Sequence, residues 1–290
     1  MKIWYENFWP GFDPNVCYFN DILRTVTNVE ITPENPDLLI YCVFGNKDVI
    51  KKYNCKICFF SSERFLVGTN PLQKVLVENY PHDFSVSYDP DHKTNIQYQF
   101  WLLQLNYENE EAYNYYKKTI EKRTFQHKKQ YCNFIYSNPA IGHSPRFDFF
   151  KFLSKKRFIH SAGRYANNVG HGIGEQINDK LNYIKDFVFT ISFENAYDDL
   201  YITEKLLHPL LATSIPIYWG GQDSLKDFNS NTLINTYNRP FEEIENEMLN
   251  LLENKEKLIE MCTLPIFEKF PEKYLPETIA TKIMDQLERK

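Results

Sequence analysis

The sequence predicts an α/β protein made of two Rossmann-like halves facing a central cleft. Three observations predict it. Short apolar runs alternate with helix-period segments along the chain, the rhythm of βα units feeding parallel sheets. The 290 residues exceed the usual size of one compact domain. A polar stretch free of Gly and Pro, residues 107–130, separates the two sets of runs and reads as a linker helix. The expected boundary therefore gives a domain over residues 1–125, linker helix included, and a second over 126–290.

In the first half the strand-like runs are KIWYENFW (2–9), DLLIYCVFG (37–45), CKICFFSSE (55–63) and FSVSYD (84–89), separated by Pro/Asn-rich turns such as ITPENPD. The second half offers CNFIYSN (132–138), RFIHSAG (157–163), DFVFTISFEN (186–195), SIPIYWGG (214–221) and TLINTYN (232–238). Between them, Phe147, Phe150 and Leu153 recur at helical spacing, and Leu206, Leu207, Leu210 and Leu211 form one apolar stripe. Residues 241–262 read as a single amphipathic helix with Ile244, Met248, Leu251 and Leu252 inward. PETIATKIMDQLERK, opened by a proline suited to a first helical turn, reads as a closing helix.

Composition excludes several classes. With 43% apolar and 16% aromatic residues the chain is no disordered segment, and its 23 Phe and 20 Tyr suit aromatic cores or sugar-stacking surfaces. A net charge of -5 gives no general basic footprint for nucleic acid. No apolar run approaches the roughly 18 residues of a membrane span, and Met1 to Tyr5 opens like a strand rather than a signal peptide. Six scattered cysteines read as reduced, Cys55 and Cys58 included, because no second pair completes a zinc site. The expectation is a soluble, cytoplasmic protein.

The chemistry concentrates in FENAYDDLYITEK, residues 193–205, where an apolar strand meets the next helix. In doubly wound folds, ligands bind beyond the carboxyl ends of strands, near helix N-termini. Glu204 there can accept bonds from sugar hydroxyls and Lys205 can offer a point charge to phosphate. The same residues also fit a solvated first turn with a Glu placed for the helix dipole.

Phe193-Glu194-Asn195, then Tyr201-Ile202-Thr203-Glu204-Lys205, then Ile215-Pro216-Ile217 running to Gly220 stand in order. The three linked blocks resemble the signature of the α1,3/4-fucosyltransferases of glycosyltransferase family 10. The resemblance is clear over residues 132–238 and fainter upstream. It implies an inverting GT-B enzyme, of bacterial or viral kind, that takes GDP-fucose as donor and a GlcNAc-bearing glycan as acceptor. Tyr201, Glu204 and Lys205 match donor-binding positions, and Arg146 matches a family arginine that opens a helix after a Ser-Asn strand end. Arg146 and Lys205 would hold the diphosphate as GDP departs. Glu194 and Asn195 either shape the loop or touch the donor. The segment 163–170, with Asn168, resembles a family loop whose amides face nucleotide or phosphate, though Asn and Gly also fit a plain turn.

The resemblance places the general base at the end of an N-domain strand, which points to Glu63, with Glu78 as the alternative. Asp89-Pro90-Asp91 is formally a DxD metal motif, but it lies in the wrong half and Pro90 suits a turn. Asp198 and Asp199 can bind a cation too, yet the family's use of Lys and Arg for the diphosphate leaves a divalent cation possible rather than required. His143, three residues before Arg146, is placed to reach phosphates or acceptor. No G-x-S-x-G, P-loop or G-x-G-x-x-G occurs, which removes the readings those motifs carry.

Overall fold

Residues 1–61, 63, 76–88, 94–105, 117–139, 144–174 and 176–289 are described by the computed structural model of the chain, which divides into two units. The first unit holds β1 (Lys2–Glu6), α1 (Tyr18–Arg24), β2 (Glu30–Ile31), β3 (Leu38–Tyr41), β4 (Lys56–Ser61), β5 (Phe84–Ser87) and β6 (Asn95–Gln97). Their order across the sheet is β2-β1-β3-β4-β5-β6, and every pairing is parallel. All four residues of β3 and of β5 are buried, as expected of strands covered on both faces.

The second unit holds α2 (Lys117–Ile120), β7 (Gln130–Phe134), α3 (Arg146–Ser154), β8 (His160–Ser161), α4 (Ile177–Ile184), β9 (Phe187–Phe193), α5 (Glu204–Leu211), β10 (Ile215–Trp219), α6 (Gln222–Leu225), β11 (Ile234–Asn235), α7 (Phe241–Glu253) and α8 (Lys255–Thr263). Its parallel sheet runs β11-β10-β9-β7-β8. Taken in chain order within the unit, that is 2-1-3-4-5, the order with which the first sheet also begins, so each sheet has a switch point beside its first strand. Central β9 is buried along its length. The hydroxyl of Thr190 is satisfied inside it, 2.8 Å from the Ser214 hydroxyl and 2.9 Å from the Asn133 amide nitrogen that donates to it.

Several expectations are corrected. The closing helix, α9 (Pro276–Glu288), does not join the second domain: residues 271–290 belong with 1–116, and 117–270 form the second unit. The buried face of α9, with Ile279, Ala280 and Ile283, packs on α1 and β6, and Tyr274 meets Trp101 edge-on at 5.5 Å. The linker is not one helix. Beyond α2, residues 122–129 are irregular because two side chains there are needed inside. Arg123 donates from Nε to Leu264 O at 2.8 Å and from its NH1 group to Leu210 O, while Lys128 Nζ donates to Lys185 O at 2.9 Å and Ala212 O at 3.3 Å. The helix read over 241–262 breaks at Asn254, which leaves helical geometry (φ -105, ψ 82) and accepts the Lys257 N–H on its side chain at 3.0 Å. Short β2 and β6 have no counterpart among the predicted strands.

Candidate active site

The loops that leave β7, β8 and β9 meet at the carboxyl edge of the second sheet, at its switch point, and enclose a cavity of about 900 Å³. Tyr136 and Asn138 line it after β7, Gly163 and Arg164 after β8, and Asn195 after β9. The first residues of α3 and α5, Arg146 and Glu204-Lys205, complete it with Lys180 from α4. Tyr136 fixes the rim: its hydroxyl accepts the Phe193 N–H at 2.8 Å and lies 3.0 and 3.1 Å from the carbonyls of Ile191 and Phe193.

Arg146 is 2% exposed, yet among the described residues it is held by neutral acceptors alone, Asn195 Oδ1 at 2.8 Å and Asn138 O at 2.7 Å. Its guanidinium lies 4.4 Å from the centroid of the Tyr136 ring, and its Nε is buried with no hydrogen-bond partner. Burial pulls its pKa below the ordinary arginine value, with Tyr136 and then Tyr165 pulling the other way. The result is a charged fork with no carboxylate in direct contact among the described residues, a state in which a bound anion gains most.

At the head of α5 the charges are interlocked. Glu194, 0% exposed, accepts the Thr203 N–H at 2.8 Å and the Thr203 hydroxyl at 2.7 Å, and stands 3.7 Å from Lys205 Nζ. Thr203 caps the helix, its hydroxyl oxygen accepting the Lys205 N–H at 3.3 Å. Lys205 Nζ is 3.3 Å from Glu204 Oε1. Burial pushes the Glu194 carboxyl up to about 7 against the pull of Lys205. Burial acts on Glu204 in the same sense, but Lys205, Lys180 and His208 outweigh it and hold that carboxyl down at about 2. For Lys205, burial alone would lower the pKa, and Glu204 and Glu194 reverse this, keeping the ammonium protonated.

Of the predicted donor residues, then, Arg146, Asn195, Glu204 and Lys205 share one cavity. Glu194 lies behind it as their buttress. Tyr201, 3% exposed, packs beneath the loop and does not line the cavity. Asn168 is also absent from the lining. Its amide oxygen accepts the Ser161 N–H at 2.8 Å and its amide nitrogen donates to Ile159 O at 2.8 Å, so it staples its loop to β8 while Asn167 lines the cavity. Asn195 does both things the sequence left open: it positions Arg146 and faces the cavity.

Glu63 lies two residues beyond β4, at the carboxyl edge of the first sheet, partly buried, with its N–H donating to Ser61 Oγ at 3.3 Å. Glu78 is exposed, in a single helical turn (Val77–Asn79) that precedes β5. His143 and Asp89-Pro90-Asp91 lie outside the described residues. Among the described residues no group of three or more His, Cys, Asp or Glu could hold a metal ion.

Lys180 and His208, both lining the cavity, were missed from sequence. Burial sets the imidazole of His208 well below its ordinary pKa, and Lys180 adds to the shift. A signal for Lys180 existed: it follows Ile177 by three residues and precedes Ile184 by four, an inward position on an amphipathic helix.

Comparisons with known proteins agree with this geometry. The family model described as glycosyltransferase family 10 (fucosyltransferase), C-terminal, matches residues 125–261, and that of the alpha-(1,3)-fucosyltransferase FucT N-terminal domain matches residues 3–105. A putative fucosyltransferase of Acanthamoeba polyphaga mimivirus is 26% identical over 243 residues, covering 73% of this chain and 40% of the relative. The alpha-(1,3)-fucosyltransferase FucT of Helicobacter pylori is 29% identical over 111 residues, 38% of this chain and 22% of the relative. The chain thus spans less than half the length of these curated relatives. Among solved structures, an alpha1,3-fucosyltransferase with GDP-fucose superposes with a TM-score of 0.71 at 19% identity, covering 100% of this chain and 90% of the other. TarM follows at a TM-score of 0.55 and 12% identity, covering 87% and 55%. These likenesses show a fold of GT-B type.

Proposed function

The chain belongs to glycosyltransferase family 10, and from that membership we propose that it is an inverting fucosyltransferase, moving fucose from GDP-fucose to the 3-hydroxyl of a GlcNAc in a glycan acceptor. The observation that carries the reading is the convergence of Arg146 and Lys205, from the two sides of a topological switch point, on one cavity. A diphosphate there meets a bidentate guanidinium and an ammonium, which stabilise the charge that grows on GDP as the glycosidic bond breaks. Glu204, ionised throughout the physiological range, accepts hydroxyl hydrogens from the donor. In the first unit Glu63 serves as the general base, taking the acceptor's proton while its oxygen attacks the anomeric carbon on the face opposite GDP. Single displacement from that face inverts the configuration.

Glu63 is preferred to Glu78 because it stands at the carboxyl edge of a parallel sheet, where such folds bind ligands. Side chains meet the diphosphate's charge, so a chelator should leave turnover unchanged. Among the described residues no helix is long and apolar enough to cross a membrane. The free cysteines, Cys55 partly exposed and the other five buried, favour action in the reducing cytoplasm.

Calorimetric titration with GDP, GDP-fucose, GDP-mannose and UDP tests the donor half of this reading, and GDP release in the presence of N-acetyllactosamine tests transfer. Binding of GDP and GDP-fucose with no heat from UDP is expected. A protein that binds no guanine nucleotide would overturn the reading.

A further inference from the structure

The donor cavity has three walls, each supplied by one crossover of the sheet: α3 after β7, α4 after β8 and α5 after β9. Two of the walls bring the cations already assigned to the diphosphate, Arg146 and Lys205. The third brings Lys180, and its situation differs from that of the other two. Arg146 is tied to Asn195 and Asn138, and Lys205 to Thr203 and Glu204. Lys180 makes no hydrogen bond or ion pair with a described residue, although it lines both the main cavity and the narrow cleft behind it, where Lys205, Tyr136 and Pro209 also stand.

Lys180 is half-buried, and burial pulls its pKa below the ordinary lysine value, the direction expected of an ammonium that loses water without gaining a direct partner. Glu204 and Glu194 offset this in part from a distance, but neither contacts Lys180: Glu204 is in contact with Lys205 and Glu194 is engaged by Thr203. Among the described residues that line the cavity, one carboxylate, Glu204, stands against four cations, Arg146, Arg164, Lys180 and Lys205, a surplus of positive charge suited to a ligand bearing two phosphates.

Resting on the fucosyltransferase reading, we propose that Lys180 is a third diphosphate-binding residue, delivered by α4, whose ammonium contacts the terminal phosphate of GDP and so makes the cavity select a nucleoside diphosphate over a monophosphate. Its position explains its idle state: the partner is the ligand. It also gives α4 a task within the site, since Gln176 and Ile177 of the same turn line the cavity.

The test is the affinity of GDP and of GMP, by calorimetry, for wild type, Lys180→Met and Lys180→Arg, each checked for an unchanged melting profile. Removing one charge-assisted hydrogen bond should weaken GDP by about 10- to 100-fold in Lys180→Met. GMP should change by less than about threefold, and Lys180→Arg should recover most of the GDP affinity. Equal weakening of GDP and GMP, or no change in either, would overturn the assignment while leaving the functional reading in place. Wild-type protein that fails to bind GDP would overturn both.

Discussion

Glu194 shows how a single residue couples the stability of the chain to its site. Its carboxyl titrates near 7 in the folded protein, against an ordinary value of 4.5. The folded state therefore keeps a proton that the unfolded chain has released between those values, and the contribution of this group to stability is full below the lower one and lost as pH rises through about 7. The shift amounts to roughly 3 kcal/mol across that window. Thermal unfolding of wild type and Glu194→Gln from pH 5 to 8 should show the wild type losing stability relative to the variant as pH rises; a constant difference would count against it. At the reacting end, Glu63→Gln should lower turnover by about 10²–10⁴-fold with GDP affinity intact, and Glu78→Gln should leave turnover nearly unaltered. Lys205→Ala should do the reverse of Glu63→Gln, weakening GDP itself by about 10- to 100-fold.

Among the elements, the short loop after β8 has little freedom. A Cβ on Gly163 would lie 2.2 Å from Tyr136 O and 2.5 Å from Tyr136 N, backbone atoms of the segment that carries the cavity rim. Gly163→Ala should therefore cost roughly 2–4 kcal/mol, read as a lowered urea midpoint, and should weaken GDP by displacing Tyr136. The same elements show what could be read from sequence. Arg146 was legible only through the family resemblance, and Glu204 and Lys205 also because they open the helix that follows an apolar strand, where a parallel sheet presents its ligand edge. Lys180 was hidden because the strand over 157–163 was read but the eight-residue helix after it, α4, was not. For Asn168 the sequence left two roles open, because an Asn in a turn has the same one-letter appearance whether its amide faces a ligand or closes its own loop, as its side chain does here. The linker was taken for a helix on its polarity and its lack of Gly and Pro, which cannot register that Arg123 and Lys128 reach inward to carbonyls.

For the whole molecule, the alternation of strands and helices was enough to announce two parallel α/β units, but an amphipathic stripe does not say which sheet it covers, and so α9 was assigned to the wrong one. Its true place makes a prediction. Removing residues 271–290 should strip α1 and β6 of their cover and destabilise the first unit, whereas GDP affinity should persist, because the described residues that line the donor cavity all fall within 135–208. Calorimetric titration of the shortened chain, with its unfolding followed by circular dichroism, reads both; loss of GDP binding together with the first unit would contradict it. The return of α9 also sets an order of events during synthesis. The ribosome finishes the second unit when it passes residue 270, while the first still lacks its final helix. The half begun first thus receives α9 only after the other half has been synthesised, and a nascent chain carries the cavity of Arg146 and Lys205 before α1 and β6 are covered.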